Sequence, residues 1–459
     1  MKYKISQYIV TSEPIINDKY RLLYSTVSTK LLLLKIEDHL RLINRAFDEL
    51  DQDVLQNLID AKLIVDKDFN ELKSIIDENK KVIADDKTLF QVISPSANCQ
   101  LGCDYCGQVH SKDTLTDDLS DKILKRITHN VGLKDYKGLF IGWFGAEPLM
   151  GLKNIRALSK EFLKLSEERG LKYSAKMVTN GLSLKKPIFF DLVENHKVKN
   201  FEITLDGTEK HHDLRRHTKL KQKTFDLIFR NLKEIVNDER FDDLNVDIVV
   251  RCNVDQSNYM STFDLMELLD NENILNKISF YTAPIHSWGN DAHLKSLSLD
   301  EYAQFQIKEF IALMNRKHEF AIIPGKKTHI VCTSLKENAE VFDANGDVYN
   351  CTEISQVPAY ENDDFFKVAK LYDESYSNKK RPYSEWNDEV LNGDFPCAGC
   401  KILPICGGAC PKLWKENISP CPAIKYNIEE RLLLEFYKNK DKYVSKKDTQ
   451  EKTVVAEAV

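Results

Sequence analysis

The sequence predicts an α/β protein in which a small α+β module precedes a strand–helix array and an irregular, cysteine-rich region follows it. Two observations carry that class. Between Leu89 and Lys317, short apolar runs of strand length alternate with amphipathic helical stretches, the pattern that builds a parallel sheet. The cysteines are bunched rather than scattered, with three in 99–106 and five in 397–421.

Residues 1–86 are expected to form the module. Apolar stretches at Tyr8 to Val10, Arg21 to Tyr24 and Leu31 to Leu34 suggest strands. Helical periodicity follows at Glu37 to Leu50, Val54 to Ala61 and Asn70 to Asn79. The lysine-rich and acidic stretch 79–87 is expected to be a linker.

The array comes next, over 87–320. Its strands are expected at Leu89 to Ile93, Leu139 to Phe144, Ser174 to Val178, Phe201 to Leu205, Val246 to Arg251 and Ile278 to Tyr281. Helices are expected near 115–131, 152–169, 186–196, 222–237, 260–271 and 300–317. Six such units make an open doubly wound sheet or an incomplete barrel. Beyond Gly325, glycine, proline and cysteine take over. Asn345-Gly346 between short apolar runs is a hairpin signal. The polar residues 441–459 are expected to be a flexible tail.

Composition narrows the class of function. The formal net charge of −6 offers no basic footprint for nucleic acid. No apolar run approaches a membrane span, and Met1 to Val10 lacks the regions of a signal peptide. A soluble, cytoplasmic protein is expected. In a reducing compartment, bunched cysteines point to metal or catalysis rather than to disulfides.

The first cluster, Cys99-x3-Cys103-x2-Cys106, follows directly on the Leu89 to Ile93 strand. Three thiolates cannot hold all four irons of a cubane, so one iron keeps an open position where a substrate can coordinate. The alternative is a zinc site completed by His110. With Tyr105 as the aromatic residue, Cys-x3-Cys-x-aromatic-Cys resembles the signature of the radical S-adenosylmethionine (SAM) superfamily. That resemblance implies a partial (β/α)6 TIM-type barrel. It also implies a [4Fe–4S] cluster whose open iron binds the methionine moiety of SAM, giving a 5′-deoxyadenosyl radical on one-electron reduction.

Further motifs match in order. Gly145-Ala146-Glu147-Pro148 resembles the family's Gly-Gly-Glu-Pro, with Ala146 departing from the second glycine; by that resemblance Glu147 accepts from the methionine amine. Asn180 matches a Thr-Asn-Gly segment near the ribose. Thr204-Leu205-Asp206-Gly207 is similar to Ser-Leu-Asp-Gly, whose hydroxyl contacts the cofactor. Arg216 is spaced to pair with the methionine carboxylate, a contact arginine makes well, and Arg215 is the second candidate. Each motif lies at the carboxyl end of an expected strand, the face on which parallel barrels collect their chemistry.

The distal cysteines are Cys332, Cys351, Cys397, Cys400, Cys406, Cys410 and Cys421. Their order and spacing resemble the SPASM domain, expected here over 321–440, which carries two auxiliary four-iron clusters. The resemblance implies that Cys397, Cys400, Cys406 and Cys421 ligate one cluster fully and that Cys332, Cys351 and Cys410 hold the other, making three [4Fe–4S] clusters in all. A zinc site is the alternative. The chain departs from the anaerobic sulfatase maturases, which usually have another cysteine between the first two of this set and an aspartate after the second. Here Thr352 follows Cys351. Cys252 matches no motif and is expected to be a buried structural thiol, while His286 and Trp288 are candidates to line a substrate cavity.

SPASM enzymes mostly modify peptides or proteins, so the resemblance implies a ribosomal-peptide maturase introducing a crosslink, thioether, epimer or oxidation. Strands followed by helices in residues 1–86 suit a winged-helix-like module that captures a leader peptide by strand addition. The expected partners are a precursor peptide and a flavodoxin- or ferredoxin-type reductant, with no nucleic acid and no membrane. The alternatives are a sulfatase-type maturase oxidising Cys or Ser to formylglycine, and a non-catalytic zinc or iron–sulfur protein.

Overall fold

The computed structural model describes residues 2–361, 363, 365–373, 381–443 and 454–457. The chain forms two compact units, one from 1–85, 299–335 and 385–459, the other from 86–298 and 336–384. Among the described residues no helix is long and apolar enough to cross a membrane.

The first unit begins with β1 (Tyr3–Ile5), β2 (Ile9–Thr11), β3 (Tyr20–Ser25) and β4 (Lys30–Lys35). Helices α1 (Ile36–Ile43) and α2 (Gln52–Asp60), strand β5 (Ile64–Asp66) and helix α3 (Glu71–Asp85) follow. β1 pairs with β5, and β2, β3 and β4 form an antiparallel meander. The two three-residue strands β1 and β5 escaped the sequence reading because they are too short to show a period.

The module expected over 1–86 is not a body of its own, since 1–85 forms one unit with 299–335 and 385–459. Side chains of a strand alternate between faces, and both faces of β3 and β4 are buried. Leu23, Leu32 and Leu34 pack with Leu42, Phe47, Val54 and Leu58 of the module's own helical segments. Leu22, Tyr24, Leu31 and Leu33 pack instead with Phe310, Ile405, Ile428, Leu432 and Phe436. The unbroken run Leu31 to Leu34 is what a strand covered on both sides requires. Those partners come from helix Leu299–Asn315 and from the segment that runs into helix Ile424–Lys438.

Two more expectations change here. The stretch 79–87 is no linker, because α3 continues through Asp85. Its polar residues have tertiary partners: Asn79 is buried and donates to Asn387, and Lys80 pairs with Asp388 at 2.5 Å. Of the expected flexible tail, the short helix Lys440–Tyr443 buries Tyr443, and strand Val454–Glu457 pairs antiparallel with β4. The remaining tail residues, 444–453 and 458–459, lie outside the described residues.

In the second unit six parallel strands run in sequential order: β6 (Thr88–Ile93), β7 (Gly138–Trp143), β8 (Lys172–Thr179), β9 (Val198–Thr204), β10 (Asp247–Val254) and β11 (Ser279–Pro284). Helices α4 (Asp117–Val131), α5 (Leu152–Arg169), α6 (Lys186–Glu194), α7 (Glu209–Arg215), α8 (Phe225–Val236) and α9 (Ser261–Asn271) lie between them in the chain. A doubly wound sheet reverses its strand order at a switch point. This one does not, so of the two readings the partial barrel is the right one.

The hairpin signal is met by β12 (Glu340–Phe342) and β13 (Asp347–Tyr349), joined through Gly346 at φ +90°. β12 pairs parallel to β6, and β14 (Lys367–Lys370) extends the sheet to nine strands. Arg126 of α4 clamps this addition with a bidentate pair to Glu340, at 2.6 and 2.8 Å. The cysteine-rich region expected as one domain over 321–440 is therefore divided, with 336–384 joined to the barrel sheet. The barrel itself ends at Ser298 rather than at 320.

Candidate functional site

Because all six barrel strands are parallel, their carboxyl ends share one face. The segments leaving those ends line a cavity of about 290 Å³. The loop after β6 supplies Cys99, Cys103, Tyr105 and Cys106. Gly145 and Ala146 follow β7, Asn180 follows β8, and Thr204 ends β9.

The cysteine loop is held by a second segment. Gly102 N donates to His217 O at 2.9 Å and Asp104 N to Arg215 O at 3.0 Å, so residues 101–104 run antiparallel to 215–218. That pairing brings Arg216 beside Cys103. Arg216 lines the cavity and donates Nη1 to the Tyr105 hydroxyl at 2.6 Å, while its buried Nε has no hydrogen-bond partner. Burial alone would lower its pKa, but Cys103, Tyr105 and Asp206 hold the guanidinium charged.

The two candidate arginines separate cleanly. Arg215 pairs with Asp255 and donates to Asn258 Oδ1 at 3.2 Å and Asn253 O at 3.3 Å. Its guanidinium stands 5.2 Å over the Tyr105 ring, and it does not line the cavity. The Nε of Arg215 is also without a hydrogen-bond partner, so what separates the two is that Arg216 lines the cavity while Arg215 braces the wall behind it.

Two acidic residues of these motifs, Glu147 and Asp206, are held by the protein itself. Glu147 is fully buried and does not line the cavity. Its carboxylate accepts from Leu149 N (3.0 Å), Thr179 Oγ1 (2.7 Å) and Asn180 N (2.8 Å). It ties the turn after β7 to the end of β8 and thereby sets the backbone of Gly145-Ala146. Asp206 is likewise buried, accepting from Tyr105 Oη at 2.6 Å and Asn253 N at 2.9 Å. The Tyr105 hydroxyl is thus a junction, donating to Asp206 and accepting from Arg216 and, at 3.0 Å, from Asn253 Nδ2. Gly145 is obligatory: at φ +109°, an added Cβ would fall 1.7 Å from Ser94 Oγ.

These residues fit an iron–sulfur cluster with a carboxylate-bearing ligand. Burial pushes the Cys99 thiol up to about 11 and Cys103 up to about 12, so only a strongly bound cation would convert them to thiolates. Asn180 Nδ2 lies 3.6 Å from Cys99 Sγ. The unpartnered buried Nε of Arg216 is a donor waiting for an acid. For the zinc alternative, His110 Nε2 is 4.0 Å from Cys106 Sγ.

His286 and Trp288 line the cavity as a T-shaped pair with ring centroids 6.3 Å apart. Burial lowers the His286 pKa, so the imidazole is neutral at pH 7. Cys252 is fully buried with Sγ 3.8 Å from Thr262 Oγ1 of α9, as a structural thiol should be. The sequence reading missed Glu202, Arg251, Asn253 and Glu353, all on the cavity wall. Strand alternation could have found the first: Glu202 shares a face with Thr204 on β9 and pairs with Lys176 at 2.8 Å. Arg251 and Asn253 alternate the same way on β10, with Arg251 Nε donating to Asn253 Oδ1 at 2.8 Å.

In the other unit, Cys397, Cys400, Cys406 and Cys421 line one small cavity with Trp414 and Lys425. Burial pushes Cys397 up to about 12 and Cys406 to about 11. Burial also raises Cys410, with Cys332 close enough to add to the effect. Cys351 follows β13 in the barrel unit and is buried.

A parallel partial barrel with three cysteines and a buried arginine lining one cavity at its carboxyl face is the arrangement that these observations define. Residues 93–250 match the family described as the Radical SAM superfamily. Over 360 residues the chain is 24% identical to a cysteine-type anaerobic sulfatase-maturating enzyme of Clostridium novyi (strain NT), covering 72% of this chain and 90% of that one. The fold resembles native anSMEcpe with bound AdoMet at a TM-score of 0.55 and 18% identity, over 75% of this chain and 98% of that one. It resembles native anSMEcpe with bound AdoMet and the Cp18Cys peptide equally, over 76% and 98%.

Proposed function

We propose that this chain is a radical SAM maturase that modifies a ribosomally made peptide. Cys99, Cys103 and Cys106 hold the [4Fe–4S] cluster, and the Arg216 guanidinium takes the carboxylate of SAM. Asn180 and Thr204 face the ribose, and the backbone of Gly145-Ala146 approaches the methionine amine. Bound together, cluster and SAM supply reductive cleavage to methionine and a hydrogen-abstracting 5′-deoxyadenosyl radical.

The chain's own residues do the rest. Tyr105 and Asp206 orient Arg216, Glu147 fixes the loop beneath the methionine, and His286 and Trp288 shape the wall that the substrate side chain meets. Cys397, Cys400, Cys406 and Cys421 hold one auxiliary cluster, and Cys332, Cys351 and Cys410 ligate a second. Residues 1–86 engage the leader of the peptide, and a flavodoxin- or ferredoxin-type protein delivers electrons in the cytoplasm.

The observation that carries this reading is the single cavity lined by Cys99, Cys103, Cys106 and the Arg216 guanidinium. Similarity to a sulfatase-maturating enzyme supports a protein or peptide substrate. That similarity also favours a second reading, oxidation of a Cys or Ser to formylglycine. Against it stands Thr352, which lines the cavity where those maturases carry an aspartate. Co-expression with any short peptide found encoded beside this gene, followed by mass spectrometry, tests the proposal. A SAM-dependent mass change in that peptide supports it. An unmodified peptide, together with formylglycine formed in a sulfatase-derived peptide, supports the second reading.

A further inference from the structure

The four distal cysteines have a charged neighbour that the proposed function does not use. Lys425 lies in the first turn of helix Ile424–Lys438, four residues after Cys421, and its Nζ is 3.3 Å from Cys421 Sγ. The same ammonium lines the small cavity shared by all four thiols, walled elsewhere by Ile402, Leu403, Trp414 and Pro422.

We propose that Lys425 sets the reduction potential of the cluster held by Cys397, Cys400, Cys406 and Cys421. The inference rests on reading those cysteines as cluster ligands. A cluster bound by four thiolates gains one negative charge on reduction. A cation hydrogen-bonded to a ligand sulfur stabilises the reduced form more than the oxidised form, and the apolar wall strengthens the effect. Lys425 therefore raises the potential.

The test is an EPR-monitored redox titration of the anaerobically reconstituted full chain, with iron and acid-labile sulfide measured on each sample. In Lys425→Met one cluster is expected to become at least tenfold harder to reduce at a fixed potential, about 59 mV more negative for a one-electron couple. Lys425→Arg should restore the parent potential, and Lys425→Gln, a donor without charge, should fall between. Should Lys425→Met lose the cluster, the Arg and Gln variants decide, and equal potentials in those two overturn the proposal. A Met variant with full iron and unchanged midpoints overturns it as well. Zinc without labile sulfide at these four cysteines in the parent protein overturns both this inference and the cluster reading beneath it.

Discussion

Deleting residues 1–86 is expected to unfold more than the module it removes. Val10, Ile15, Leu22, Tyr24, Leu31 and Leu33 are buried in one cluster with Phe310, Ile322, Ile402, Ile405, Ile428, Leu432 and Phe436. Full burial of one such side chain is worth about 1.5–3 kcal/mol. The six lost residues therefore remove roughly 9–18 kcal/mol, and the partner face left behind becomes exposed. A typical domain has only about 5–15 kcal/mol in total. Cys400 and Cys406 pack against this same cluster, so their surroundings should fail with it. The assay is iron and labile sulfide per chain together with a thermal melt, on full-length and truncated protein reconstituted in parallel. The truncated chain should lose the iron held by the distal cysteines and the cooperative transition of its unit, while the barrel cysteines keep theirs. A truncated chain with a full iron complement and an unchanged melt would refute the shared core.

Two other substitutions separate roles that the sequence leaves together. Arg216→Ala should weaken SAM binding by about 2–3 kcal/mol, the range for losing a hydrogen bond to a charged group, as read by equilibrium dialysis with the apo-cluster and loaded proteins compared. Arg215→Ala should instead lower the melting temperature, because Asp255 is left buried without its partner, a loss of about 3–5 kcal/mol. Asp343, at the turn between β12 and β13, has its pKa pushed up by burial to about 6, while its Oδ1 accepts from Asn345 N and Asp347 N. A carboxyl raised in the folded state contributes stability below its unfolded pKa near 4 and loses it as pH rises through about 6. Asp343→Asn keeps the Oδ1 contacts and never ionises. Its stability should equal the parent's near pH 4 and exceed it by about 2–3 kcal/mol above pH 7, from denaturant titrations of both proteins across that range.

Much of the barrel was legible because its signals are local. The period switch between apolar strands and amphipathic helices put α5 at 152–169, the bounds the structure has, and the Asn345-Gly346 turn was marked by residue type alone. The cysteine loop was readable from spacing. What escaped depends on contacts distant in sequence. Leu31 to Leu34 read as one buried strand, but nothing local says that its second face meets helix Ile424–Lys438. Glu147 reads as a ligand from a motif at a strand end, and nothing local shows that Thr179, Asn180 and Leu149 donate to it. Arg215 and Arg216 are adjacent, and the antiparallel pairing of 101–104 with 215–218 decides which one faces the cavity. Arg251 was invisible for the opposite reason: one arginine in an apolar strand carries no motif.

The most direct test is 5′-deoxyadenosine formation. The anaerobically reconstituted chain, given dithionite and SAM, should release 5′-deoxyadenosine and methionine, and Cys103→Ala, reconstituted in parallel, should release none. Product from Cys103→Ala at the parent rate, or no product from a parent protein shown to hold its iron, would contradict the assignment of this cavity to SAM cleavage.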